Sequence, residues 1–92
     1  MNPKARLMYL LKHFYMENYD IIDFTNEFHR IYTFEVDYSE LSENERQLLS
    51  ELYSIVGRFT EFEEDLKMYP NAYFSKDDVK EKATEVYLSL KE

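Results

Sequence analysis

The chain has 92 residues with 11 basic and 19 acidic side chains, a net charge of −8, no cysteine, no tryptophan, one glycine and two prolines. A chain this short holds a single hydrophobic core, and nine tyrosines with seven phenylalanines set it apart from disordered acidic chains, which are poor in aromatics. Absence of cysteine excludes disulfides, thiol catalysis and Cys-ligated zinc, and one glycine furnishes neither a Gly-rich phosphate loop nor the positive-φ turns of a small β fold.

In chain order, Asn2 as N-cap and Pro3 at the first helical position predict a helix over 3–16, with Leu7, Leu11 and Phe14 at helical spacing and Met8, Leu10 and Tyr15 widening the stripe. The apolar run at 7–11 is too short for a signal-peptide core or a membrane span, so a soluble cytoplasmic protein is expected. Asp20 caps a second predicted helix over 21–33, in which Ile21, Phe24, Phe28 and Ile31 or Tyr32 recur at steps of three and four, with Asp23, Glu27 and Arg30 opposite. The stretch 34–41 alternates like a strand, but a lone strand is unstable, and it reads as a connection with an aromatic anchor. Ser42 and Glu45 form a capping box, opening a third helix over 43–59 with Leu48, Leu52, Ile55 and Phe59 as its stripe. Residues 60–73 read as irregular, with room for one short helical turn before Pro70 forces an extended Tyr69. Ser75 and Asp78 open the last helix, 76–91, on a stripe of Val79, Ala83, Val86 and Leu90. The expected fold is all-α: a compact four-helix bundle in one domain, residues 1–92, with Leu11, Phe28, Leu52, Phe59 and Val86 in its core.

The charge is regional. Residues 1–16 carry Lys4, Arg6 and Lys12 and no acid, and residues 66–92 are balanced, so the 14 acids against three arginines in residues 17–65 leave that region at −11. A like-charged region destabilises its own fold unless solvent or a basic group neutralises it. First-turn acids such as Asp20, Glu43 and Glu45 serve caps and helix dipoles. The run Glu61, Glu63, Glu64 and Asp65 around Phe62 lies outside the predicted helices and is the strongest candidate for partner binding, followed by Asp37, Glu40 and Tyr69 in the connections. Tyrosine beside acids on loops suits a protein interface, since it offers a rigid apolar face with a polar tip.

No catalytic or metal chemistry is expected. His13 and His29 stand on different helices without metal-ligand spacing, the acid run lacks the glycine and spacing of a calcium loop, and a domain this small has little room for a cleft holding two differently tuned carboxylates. Net negative charge also disfavours direct binding to nucleic acid or to anionic membranes.

The order of elements resembles the colicin D-type immunity proteins and related small helical immunity proteins of bacterial toxin systems. The likeness covers residues 5–91: an apolar first helix, Asp23-Phe24 with Phe28 in the second, Leu41-Ser-Glu-Asn-Glu leading into Leu52-Tyr53 and Arg58-Phe59, an acidic stretch, a Tyr-containing connection, and Ser75 opening the last helix. It implies a monomer without cofactor that binds a basic nuclease toxin domain, a tRNase by that likeness, one to one. Carboxylates would stand in for RNA phosphates in the toxin's cleft, with Glu61, Glu63, Glu64 and Asp65 carried over first. The chain departs from the pattern at Gly57 and Phe62. A different class also fits: an acidic helical adaptor, or a nucleic-acid mimic of another basic protein.

Overall fold

A computed structural model describes residues 2–91. Helix α1 (Pro3–Tyr15) starts where the Asn2 side chain accepts from Ala5 N at 2.7 Å and Pro3 takes the first helical position. It buries Leu7, Leu10, Leu11 and Phe14. It ends in a Schellman turn, with Asn18 N donating to His13 O (2.8 Å) and Glu17 N to Phe14 O (3.0 Å). That turn needs a left-handed residue, and Glu17 supplies it with φ 62°, alone among the described non-glycine residues. Left-handed backbone costs an L-residue about 1–2 kcal/mol, which outweighs both the extra unfolded-state entropy of glycine and the exposed Lys80–Glu17 pair at 3.3 Å. Glu17→Gly is therefore expected to raise stability by about 0.5–1 kcal/mol. A lower midpoint in urea unfolding would contradict this.

Helix α2 (Ile21–Arg30) is capped by Asp20, whose carboxylate accepts from Ile22 N and Asp23 N. The helical path does not stop at Thr33 as predicted. It widens into a π-turn (Ile31–Glu35), closed by Val36 N donating to Ile31 O at 3.0 Å. The wider turn lets Ile31, Tyr32 and Val36 all enter the core, and it leaves Phe34 outside, 80% exposed. A 3₁₀ turn (Tyr38–Glu40) follows, fixed by Tyr38 OH donating to Tyr32 O at 2.6 Å and by Arg46 Nη2 donating to Tyr38 O at 3.2 Å. The expected aromatic anchor of this connection is thus Tyr38 packed on Tyr32, ring centroids 5.2 Å apart.

Helix α3 (Glu43–Val56) begins with the predicted capping box between Ser42 and Glu45. It ends three residues earlier than expected, at Gly57, whose φ of −65° makes no use of glycine's freedom. Its buried face is Leu49, Leu52 and Val56; Leu48, Ile55 and Phe59, placed on the stripe from sequence, are only half-buried at its edge. Helix α4 (Glu63–Met68) occupies the segment expected to be irregular and contributes no buried residue. The helix stops at Tyr69 (φ −132°, ψ 63°), which is kept out of helical geometry ahead of Pro70 but is not extended. Helix α5 (Lys76–Leu90) opens on the second capping box, Ser75 with Asp78, and buries Val79, Ala83 and Val86, with Leu90 half-buried.

The described residues therefore hold five α-helices and no strand, rather than four helices. Helix α1 packs on α5 and α2, and α3 packs on α5 and α2, around one cluster that also takes in the π-turn. The Cα radius of gyration, 13.0 Å, is that of one packed unit of this length. No described helix is long and apolar enough to cross a membrane.

Candidate protein-interaction surface

The fold brings bases from both ends of the chain onto the acidic middle. Lys4 of α1 pairs with Glu45 at 2.9 Å, Arg6 with Glu35 at 2.6 Å, and Lys82 of α5 with Glu51 at 2.6 Å. Arg30 also bonds Glu35 and reaches Glu27 at 2.7 Å. These partners hold Glu45 and Glu51 below the ordinary glutamate range. For Glu45 the main cause is the Ser42 backbone amide, with Lys4 adding to it; for Glu51 it is the Lys82 hydrogen bond. Lys82 is raised reciprocally by Glu51. Four of the acids in the region, Glu27, Glu35, Glu45 and Glu51, are thus satisfied inside the molecule.

Asp20 and Asp23 stay at the start of α2, and the partner-binding candidates are divided between the two ends of α3. Ahead of it, Asp37 caps the 3₁₀ turn, accepting from Ser39 Oγ at 2.6 Å and Ser39 N at 3.0 Å, which hold its carboxylate below the usual range. Glu40 beside it is exposed. After α3, the chain makes an excursion over residues 60–74 whose ends are tied together. Thr60 N donates to Phe74 O at 3.0 Å and Phe74 N to Arg58 O at 2.8 Å, forming a bridge between Phe59 and Phe74. Fourteen helical residues separate the two acidic sites, about 20 Å at 1.5 Å per residue. Asp37 and Glu40 therefore do not join Glu61, Glu63, Glu64, Asp65 and Tyr69 in one patch.

Within the excursion the acids differ in kind. Asp65 is half-buried and accepts from Thr60 Oγ1 at 2.9 Å, while the same Thr60 oxygen accepts from Phe62 N at 3.1 Å. Thr60 is itself 8% exposed, so this pair fixes the entry to α4 and Asp65 is a positioning residue. Glu61 and Glu64 are exposed and have no ion-pair or hydrogen-bond partner among the described residues, and Glu63 reaches Lys67 only at 4.0 Å between two well-solvated side chains. Tyr69 is 52% exposed and meets Tyr73 edge-on at 6.1 Å.

Sequence reasoning missed the apolar half of this surface. Phe62 (63% exposed) and Met68 (70%) stand out from the same excursion, so Phe62 is part of the surface rather than an interruption of the acid run. The signal was present as large apolar residues in a segment with no helical stripe to bury them. Conversely Tyr38, which also stands beside acids in a connection, donates its hydroxyl to the Tyr32 carbonyl. His13 and His29 each lie against a tyrosine ring, Tyr9 at 4.2 Å and Tyr53 at 4.9 Å. No group of three or more metal-ligating side chains occurs among the described residues. No family model, curated protein or solved structure matches the chain.

Proposed function

We propose that this chain is an immunity protein: a cytoplasmic four-helix bundle, with α4 as an appendage, that binds the basic catalytic cleft of a cognate nuclease toxin domain one to one. The 60–74 excursion enters that cleft. It acts by occupancy and not by turnover.

The observation that supports this reading best is the contrast between the two sets of acids. Those facing α1 and α5 are paired internally, whereas Glu61 and Glu64 have no ion-pair partner among the described residues, Glu63 has only the solvated Lys67 at 4.0 Å, and all three sit among exposed Phe62, Met68 and Tyr69. Self-repelling charge and exposed apolar rings are both costly to leave in water, and a basic, partly apolar partner surface relieves both. Carboxylates at the rim steer a basic partner inward, and the rings supply area that excludes water once it has docked.

The test is co-expression with the nuclease domain encoded beside the chain, scored for survival. The intact chain should restore growth, and the variant E61Q/E63Q/E64Q should lose protection while keeping its helical circular dichroism. Growth arrest in the presence of well-expressed, folded intact chain would overturn the immunity reading.

A further inference from the structure

One groove of about 330 Å³ adjoins the excursion, running between it and the starts of α2 and α5. Its lining is mainly apolar and includes Ile21, Phe59 and Leu66, all half-buried and therefore partly open to solvent. The excursion contributes Glu61 and Glu63 to the lining and the first turn of α5 contributes Asp77, with Lys76 as the one cation. Neither Glu61 nor Asp77 has an ion-pair partner among the described residues.

We propose that this groove seats an arginine side chain of the partner protein; the inference rests on the partner-binding reading above and names what that partner must present. The volume lies at the bottom of the range for small-molecule sites, too small for a cofactor and sufficient for one long side chain. An apolar lining that also carries carboxylates suits a side chain that is apolar along its stem and charged at its tip, which is the way long basic residues bury themselves. Three carboxylates against one ammonium make the complementary tip cationic. Arginine fits better than lysine: its guanidinium is less strongly hydrated, and its planar fork bonds a carboxylate through two parallel N–H groups.

The experiment uses the isolated protein and a blocked Gly-Arg-Gly peptide, followed by amide chemical shifts. Saturable shifts should be confined to the groove lining, Ile21, Phe59, Glu61, Glu63, Leu66 and Asp77, with their sequence neighbours. The dissociation constant should rise roughly fivefold or more with the citrulline peptide, which keeps the shape and loses the charge, and equally with the arginine peptide on E61Q/E63Q. Leu66→Ser, in a helix that contributes nothing to the core, should weaken binding without unfolding the protein. Citrulline or lysine peptides binding as well as arginine, shifts scattered over α2 and α3, or indifference to Leu66→Ser would each overturn the assignment. The probe is not the toxin, so the two readings fail separately: a groove-specific arginine response without protection in cells refutes only immunity, and protection without the response refutes only the groove.

Discussion

Phe24→Ala is expected to destabilise the protein by about 3–5 kcal/mol, a large share of the 5–10 kcal/mol available to a domain of this size. Phe24 is fully buried and stands second in a ladder of five rings that ties three helices together. It stacks on Phe14 of α1 at 4.0 Å and meets Phe28 at 5.8 Å; Phe28 stacks on Tyr32 at 5.9 Å, and Tyr32 meets Tyr53 of α3 at 4.8 Å. Each such pair adds roughly 0.5–1.5 kcal/mol to the burial of the ring itself, and the deletion removes two of them and leaves a cavity. Tyr15→Ala is the control, since Tyr15 is 44% exposed and its ring meets one aromatic neighbour, Tyr87, tilted at 5.1 Å. It should cost less than about 1 kcal/mol. Equal losses for the two variants in urea unfolding would show that the ladder does not organise the core.

The parts of the fold legible in the sequence are those set by local chemistry. Asn2 with Pro3, Ser42 with Glu45, and Ser75 with Asp78 each satisfy orphan amides within four residues, so their helix starts fall where the sequence puts them. What local chemistry leaves degenerate was misplaced. Helix α3 carries Leu48, Leu49, Leu52, Tyr53, Ile55 and Val56, and both Leu48–Leu52–Ile55 and Leu49–Leu52–Val56 satisfy helical spacing. The choice between them is made by the positions of α2 and α5, which no local window contains. The π-turn is similar: nothing in Ile31–Glu35 forbids an ordinary helix, and the wider turn prevails because Val36 is buried along with Ile31 and Tyr32.

The candidate site shows the same division. The isolated acid run and the exposed tyrosine are visible in the string of residues, because no helical stripe claims them. The partners that distinguish one acid from another lie far along the chain: Arg6 is 29 residues from Glu35, and Lys82 is 31 from Glu51. Regional net charge therefore overstates the available charge. Asp65 shows the opposite limit: its partner Thr60 is only five residues away, yet its bond forms because the 60–74 excursion folds back on itself.

Neutralising Glu61, Glu63 and Glu64 to glutamine should slow association with the basic partner about tenfold at low salt and flatten its salt dependence, with dissociation faster only by the roughly fivefold that the arginine contact in the groove contributes. The three carboxylates are solvated, so they act mainly on encounter, and at physiological ionic strength their reach is about 8 Å. Glu40 lies about 20 Å away beyond the other end of α3, so Glu40→Gln should leave association nearly unchanged. Phe62→Ala and Tyr69→Ala should act on the other rate, speeding dissociation, because their exposed rings gain burial only in the complex. Asp65→Asn separates positioning from steering. Its oxygen can still accept from Thr60 Oγ1, whereas Asp65→Ala leaves that nearly buried hydroxyl without its acceptor, so the alanine should weaken the complex more than the asparagine although both remove one charge. If the triple variant associates as fast as the intact protein at every salt concentration, steering comes from another face and the excursion is solvated surface. If instead Glu40→Gln slows association as much as the triple variant, the whole acidic middle acts as one field and no local site on the excursion captures the partner.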